Sequence, residues 1–144
     1  MADQTESSIT IAAAPAAVMA VIADFEAYPD WNDEVKLVEI LNVYEDTEQP
    51  AEVRFLLDAG AIKDDYVLEY EWVSQTELRW HLVKGDMLKA MDGVYQLSAV
   101  DGGTQVSYRL AVDVKIPMIG MIKRKAEKVI IDRALKGLKV RVEG

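Results

Sequence analysis

The sequence contains no cysteine and only one histidine, His81. Without cysteine the chain can form no disulfide, no thiolate nucleophile and no cysteine-based metal site. A single histidine is too few for a metal site made of several imidazoles, and the glycine spacing of nucleotide-binding loops is missing. Alternation beside Trp80 places His81 on the solvated face of a strand. We therefore predict no metal, no cofactor and no catalytic residue.

Long apolar runs are missing as well. No segment approaches the roughly 18–20 apolar residues that a transmembrane helix needs. The start of the chain, MADQTESSIT, lacks the basic and apolar regions of a signal peptide. We expect a cytoplasmic protein that is not integral to a membrane.

Acidic residues outnumber basic ones, and the net charge is −9. Residues 1–116 hold eight bases and 22 acids, whereas residues 117–144 hold eight bases and three acids. An acidic body is unsuited to nucleic acid, because such binding depends on neutralising phosphates. The basic end is expected to lie against the acidic body, with docking on an anionic surface as the alternative.

The composition, 51% hydrophobic and 28% charged, is that of an ordinary globular protein. A chain of 144 residues fits one domain, and no repeat or linker divides it. We therefore predict a single domain over residues 1–144.

Hydrophobic periodicity predicts the order of helices and strands. After an N-terminal β-rich run, Pro15 stands where a helix can begin, and Tyr28-Pro29 ends that helical region. From about residue 33 to residue 116 apolar and polar side chains alternate, as in antiparallel strands with one wet face. Pro117 is predicted to open the longest helix, which has a broad apolar face. The prediction is an α+β fold: two short helices after the first strand, a curved antiparallel sheet of about seven strands, and a long C-terminal helix packed on it.

Large aromatic side chains fall on the predicted inner face of the sheet. Buried tyrosines need partners for their hydroxyl groups, and apolar walls with a few polar tips are typical of small-molecule sites. Simple core packing is the alternative interpretation. The predicted ligand-binding residues are Phe55, Tyr66, Tyr70, Trp72, Trp80, Tyr95 and Tyr108.

The acidic side chains form no catalytic constellation in the sequence. Asp64 and Asp65 are neighbours in a strand, so their side chains should point to opposite faces and be solvated. Asp24 and Glu26 are expected to be solvated or to cap a helix, and lining a pocket mouth is the alternative.

Three stretches carry a family resemblance. Residues 14–31 read APAAVMAVIADFEAYPDW, residues 103–108 read GTQVSY, and residues 135–139 read LKGLK after Pro117. They resemble the polyketide cyclase/coenzyme Q-binding branch of the START-like superfamily, also called SRPBCC. The resemblance implies a helix-grip fold with a tunnel between the sheet and the C-terminal helix. Members bind lipids, quinones, polyketides or hormones there, and some cyclise or hydrolyse substrates.

The principal hypothesis is binding or transport of a small hydrophobic ligand, such as a lipid, a quinone or a polyketide-like aromatic. One alternative is a polyketide aromatase/cyclase, which an inward-facing Arg or Asp would favour; alternation places Arg79, Arg109 and Asp113 outside. The other is an interaction protein such as a ribosome-associated regulator, which exposed basic or apolar residues on the C-terminal helix would favour. The sequence specifies neither the ligand nor the oligomeric state.

Overall fold

The computed structural model describes residues 4–60 and 62–144 of the chain. The strands are β1 (Thr5–Ile11), β2 (Val35–Val43), β3 (Pro50–Asp58), β4 (Lys63–Ser74), β5 (Glu77–Gly85), β6 (Leu88–Val100) and β7 (Gly103–Val114). The helices are α1 (Pro15–Ala23), α2 (Tyr28–Trp31) and α3 (Gly120–Glu143), with a single 3₁₀ turn at Phe25–Ala27.

The seven strands form one antiparallel sheet in the order β1-β7-β6-β5-β4-β3-β2. Strands β2 to β7 form a meander, and β1 pairs with β7 from Thr5↔Leu110 to Ile11↔Thr104. Register shifts occur in the β2–β3, β4–β5 and β6–β7 pairs. Because bulges bend and twist a strand, the sheet curves around α3. This helix-grip architecture confirms the predicted α+β fold, whereas the single domain over residues 1–144 stays a prediction.

Helix α3 covers the concave face of the sheet with its apolar side. It lies against β1, β7 and α1. Its buried apolar residues recur at three- and four-residue spacing, which places them on one face: Ala126, Ile130, Ile131, Ala134, Leu135 and Leu138.

A buried carboxylate fastens α3 to the edge of the sheet. Glu127 is 1% exposed. Its Oε1 accepts a hydrogen bond from the Thr5 hydroxyl at 2.6 Å, and its Oε2 accepts one from the Val112 backbone N–H at 2.7 Å. Because the carboxylate satisfies groups on β1 and β7 at once, it fixes how far along the sheet α3 lies. Nothing in the sequence pattern had assigned this residue a role.

The connection between β7 and α3 differs from the prediction. Strand β7 ends at Val114 and α3 begins at Gly120, so Pro117 lies in a loop and does not open the helix. The Lys115 N–H donates to the Met87 carbonyl at 2.9 Å, and Ile116 is 65% exposed. Several residues are needed here because the chain must leave the sheet and cross onto its concave face.

Asp64 was expected to be solvated, and this prediction is wrong. The side chain is buried, and it accepts hydrogen bonds from four backbone N–H groups, those of Asp65, Asp86, Met87 and Leu88. Two of these donors, Asp86 and Met87, form the β5–β6 connection, and a third, Leu88, begins β6. Without Asp64 these N–H groups would lack partners.

Asp65 lies on the outer face, as alternation predicts. Its two carboxylate oxygens accept hydrogen bonds from Arg54, each at 2.8 Å. The Arg54 guanidinium holds the pKa of Asp65 below its usual range. The two neighbouring aspartates therefore have separate structural roles.

The basic end of the chain only partly lies against acidic groups. Arg133 Nη1 is 2.8 Å from Glu34 Oε1, and Lys123 Nζ is 3.8 Å from Asp113 Oδ1. The other paired lysines of α3, Lys128 and Lys139, contact carboxylates of the same helix. Among the described residues no carboxylate pairs with Arg124, Lys125, Lys136 or Arg141.

Within residues 4–60 and 62–144, none of the helices is both long and apolar enough to cross a bilayer.

The covering role of α3 predicts a large cost for truncating its apolar face. Leu138→Ala should lower the free energy of unfolding by about 2–5 kcal/mol, the range for a buried leucine, because Leu138 is fully buried. Val140→Ala on the same helix, at a side chain that is 72% exposed, should change it by less than about 0.5 kcal/mol. Urea unfolding measures both, and similar values for the two variants would contradict the packing of α3 described here.

Candidate ligand-binding site

A cavity of about 60 Å³ lies between the sheet and α3. Strands β3 to β7 supply most of its wall, α3 closes it on one side, and the end of α2 closes it on another. Its lining residues are Tyr28, Trp31, Asn32, Val35, Phe55, Leu57, Tyr66, Leu68, Tyr70, Trp80, Met91, Tyr95, Tyr108, Ile130 and Ala134.

Cross-strand pairing brings the aromatic rings of the wall together. Tyr70 pairs with Trp80 between β4 and β5, and Tyr95 pairs with Tyr108 between β6 and β7. The ring centroids are 5.8 Å apart in the first pair and 4.6 Å apart in the second. The Trp80 indole connects them, since its centroid is 5.4 Å from that of Tyr95. Directly opposite aromatic pairs stabilise a sheet, so these contacts hold the rings of the wall together.

Gly93 allows the Trp80 indole to lie across β6. The two residues are directly opposite in the β5–β6 register, and a Cβ at position 93 would lie only 2.2 Å from Trp80 Cε2. A side chain there would force the indole away from β6. The absence of a side chain at Gly93 therefore determines where the largest ring of the wall lies.

Four tyrosine hydroxyls of the wall have no hydrogen-bond partner among the described residues. They belong to Tyr66, Tyr70, Tyr95 and Tyr108, each of which is at most 7% exposed. The fifth, Tyr28, differs because its hydroxyl donates to the Ile22 carbonyl. The cavity therefore presents unpaired polar tips on otherwise apolar walls.

The phenols of the wall keep their protons at neutral pH. Burial raises the pKa of all five tyrosines, and it is the largest cause in each case. Neighbouring phenols raise the pKa further for Tyr66, Tyr70 and Tyr95. Since a protonated phenol carries one O–H, the four hydroxyls without a protein partner can each donate a hydrogen bond into the cavity.

Trp31 separates the cavity from a groove on the outside of the molecule. The residue lines the cavity and also a groove of about 710 Å³ formed with Arg133, Lys136 and other residues of the α3 C-terminal half. Gly137 permits this close approach, because a Cβ there would lie 2.1 Å from the Trp31 carbonyl oxygen. The buried Trp31 Nε1 has no hydrogen-bond partner in the described part of the chain. No hydrogen bond of the indole nitrogen therefore holds the Trp31 ring in place.

Six of the seven residues predicted to bind ligand line the cavity. The exception is Trp72, whose Nε1 donates to the Pro50 carbonyl at 2.8 Å and which lines a surface cleft with Met19. Ligand binding by the other six stays a prediction. Two aromatic lining residues, Tyr28 and Trp31, were not predicted as site residues although they belong to the YPDW stretch of the family resemblance.

The residues considered for catalysis lie outside the cavity. His81 is exposed, with its Nε2 3.3 Å from Glu69 Oε1, and Arg79 is exposed beside Glu77. Arg109 is half-buried on the outer face, where its Nη2 donates to Gln96 Oε1 at 3.2 Å. No three potential metal ligands come together in residues 4–60 and 62–144. Apart from the tyrosines, no ionisable residue of the described chain lines the cavity.

Comparison with known proteins assigns the family. The family model described as "Polyketide cyclase / dehydrase and lipid transport" matches residues 2–143. The chain belongs to this family. No curated protein matches the chain.

Solved structures share the fold of this family member. A START superfamily protein from Mycobacterium smegmatis has a TM-score of 0.91 at 24% identity, with 97% of each chain covered. A protein from Thermus thermophilus has a TM-score of 0.81 at 25% identity, again with 97% of each chain covered. The ZhuI aromatase/cyclase from Streptomyces sp. R1128 has a TM-score of 0.79 at 16% identity, with 99% of this chain and 94% of that chain covered.

Replacing tyrosine by phenylalanine should have opposite effects at two positions of the cavity wall. Tyr28→Phe removes a hydroxyl that donates to a carbonyl, so it should lower the free energy of unfolding by about 0.5–1.5 kcal/mol. Tyr108→Phe removes a hydroxyl without a protein partner, so it should leave that free energy unchanged or raise it. Urea unfolding of the two isosteric variants measures the difference. Equal losses at both positions would show that the Tyr108 hydroxyl has a partner in the protein.

Alkaline pH should destabilise the fold of this family member. Because burial raises the tyrosine pKa values in the folded state, the unfolded chain releases these protons first, from about pH 10. The unfolded state then binds fewer protons, so the free energy of unfolding falls as pH rises above about 10, by up to ~1.4 kcal/mol per pH unit for each tyrosine. Tyrosinate absorbance should therefore appear together with the loss of near-ultraviolet circular dichroism. Full ionisation with intact dichroism would contradict the burial of these phenols.

Proposed function

We propose that this protein binds a small, neutral, hydrophobic molecule with hydrogen-bond acceptors, such as a quinone or a polyketide-like aromatic. The observation that carries the proposal is a set of four buried tyrosines, whose hydroxyls have no protein partners, around one apolar cavity. The family description names lipid transport, and transport of such a molecule fits it. On this proposal the transport takes place in the cytoplasm, the location expected from the sequence.

The chemistry of the wall selects the ligand class. The phenols are protonated donors, so ligand oxygens would accept from them, and a pure hydrocarbon would leave the hydroxyls unpaired. A charged ligand would be buried without a counterion, which is costly, because no Lys, Arg, Asp, Glu or His of the described chain lines the cavity. A neutral molecule with carbonyl or ether oxygens suits both conditions.

The size of the cavity adds a conformational requirement. Its volume of about 60 Å³ is well below the roughly 300–1,000 Å³ of typical ligand pockets. A ligand with two or more rings therefore needs the cavity to widen. Trp31 is the side chain best suited to move, because it is half-buried, lies between cavity and groove, and has no hydrogen bond at its indole nitrogen. On this proposal the ligand enters past Trp31.

A pair of matched ligands tests the proposal. 1,4-Naphthoquinone and naphthalene share a ring system, but only the quinone has acceptor oxygens, and the protein has no cysteine that could react with it. We expect saturable binding of the quinone, followed by tryptophan quenching and by calorimetry. The double variant Tyr95→Phe/Tyr108→Phe should weaken quinone binding about 5-fold to 150-fold, as expected for two lost hydrogen bonds of about 0.5–1.5 kcal/mol each.

The controls separate hydrogen bonding from general loss of structure. Naphthalene affinity should change less than about twofold in the double variant, because apolar contact is retained. Tyr44→Phe alters a tyrosine outside the cavity and should leave quinone affinity unchanged. The proposal is wrong if no quinone, polyketide or lipid shifts either the tryptophan fluorescence or the melting temperature. It is also wrong if the double variant lowers the affinities for 1,4-naphthoquinone and naphthalene equally.

Catalysis of polyketide ring closure is the second candidate. It draws on the family description and on the fold shared with an aromatase/cyclase, and a phenol O–H could polarise a substrate carbonyl. The raised pKa values of Tyr66 and Tyr108 make their phenols poor general bases, which favours binding over catalysis. Incubation with a linear polyketide distinguishes the two, since a cyclised product that depends on Tyr108 would replace the binding proposal.

A further inference from the structure

A second surface of the molecule combines exposed apolar and basic side chains. It comprises residues 115–125, from the end of β7 through the first turns of α3, and we call it the α3-start patch. Four of its apolar side chains are exposed: Ile116 and Ile119 at 65%, Met121 at 73% and Ile122 at 46%. Large apolar residues gathered in one short exposed segment are typical of an interaction surface.

The charge of the α3-start patch is opposite to that of the rest of the chain. Residues 115–125 hold four bases and no acid, whereas the other 133 residues hold 12 bases and 25 acids. The patch therefore has a charge of +4 on a protein whose remainder has a charge of −13. Such a separation orients a molecule towards an anionic surface.

Most of this positive charge is not neutralised by the protein itself. Lys123 lies near Asp113, and it is the one base of the patch with a carboxylate partner in the described part of the chain. Lys115 Nζ donates to the neutral Gly85 carbonyl at 2.9 Å. Arg124 and Lys125 are exposed, so both can reach an external anion.

We propose that the α3-start patch docks on the surface of an anionic lipid bilayer. The exposed apolar side chains would enter the boundary between headgroups and acyl chains, while Lys115, Arg124 and Lys125 would contact lipid phosphates and carboxylates. Basic and apolar residues on one segment are the combination that interfacial binding requires. This surface contact needs no membrane-spanning helix. It is also independent of the proposed ligand site, because none of the patch residues lines the cavity.

Vesicle sedimentation with the full chain and no ligand tests the proposal. We expect binding to phosphatidylcholine vesicles that contain about 30% phosphatidylserine, which resemble an anionic leaflet, and little binding to pure phosphatidylcholine. Replacing Lys115, Arg124 and Lys125 by alanine should weaken partitioning about 100-fold, since each base near such a surface contributes about fivefold. Ile119→Ser/Met121→Ser should weaken it about tenfold or more, and high salt should release the wild-type protein.

Matched substitutions at the other end of α3 serve as controls. Lys136→Ala/Arg141→Ala removes two bases that also have no carboxylate partner among the described residues, and they lie about 17 Å and about 24 Å along the helix from the end of the patch. Val140→Ser removes an apolar side chain that is equally exposed. Both controls should retain vesicle binding. All these positions are exposed, so the variants should fold, and melting curves check this.

Three outcomes would overturn the proposal. The first is wild-type protein that stays in the supernatant with anionic vesicles. The second is vesicle binding that the controls weaken as much as the patch variants do, which would indicate a diffuse charge effect. The third is a dimer that Ile119→Ser/Met121→Ser converts to monomer without any vesicle binding, which would assign the patch to a second copy of the chain. Quinone binding measured on the same variants without vesicles shows separately whether the ligand site is intact.

Discussion

The concave apolar face of the sheet must be covered, and the rest of the structure depends on how α3 covers it. Leu135 and Leu138 are buried on the apolar side of the helix. The Glu127 carboxylate accepts hydrogen bonds from the Val112 N–H and the Thr5 hydroxyl where the helix meets the sheet edge. Because hydrophobic burial is non-directional, apolar packing alone does not fix the position of α3 along the sheet. The hydrogen bonds of the Glu127 carboxylate fix it. The position of α3 in turn determines how much space is left above the aromatic wall.

The cavity between the sheet and α3 has apolar walls that carry a few tyrosine hydroxyls. Such hydroxyls lower the stability of the fold unless they have hydrogen-bond partners. Trp72 shows the usual solution, since its indole N–H donates to the Pro50 carbonyl. Tyr95 and Tyr108 lack such a partner among the described residues although their rings pack closely. Polar groups of buried residues normally have hydrogen-bond partners. Several hydroxyls without protein partners around one cavity are what we expect of a binding site for an aromatic ligand with acceptor oxygens.

Period-two alternation predicted the strands and the inner face of the sheet, and three- and four-residue spacing predicted the long helix, because both patterns depend only on neighbouring residues. The helix-grip arrangement followed from the family resemblance. Alternation could not show how far along a strand the cavity extends, so Trp72, near the end of β4, was grouped with Tyr66 and Tyr70. Asp64 was wrongly predicted to be solvated, because three of the four N–H groups that donate hydrogen bonds to its carboxylate belong to residues more than 20 positions later. Glu127 was missed for the same reason. Long-range polar contacts of this kind leave no local periodic signal.

The most direct test of the central claim is to locate the bound ligand by methyl NMR. Three of the six methionines report on separate regions, since Met91 lines the cavity, Met19 lines the outer cleft beside Trp72, and Met121 belongs to the α3-start patch. On titration with 1,4-naphthoquinone, the account predicts saturable shifts at Met91 and at the Trp80 indole, with Met19 and Met121 unchanged. Shifts confined to Met19 or Met121, or no saturable shift at any methionine, would contradict it.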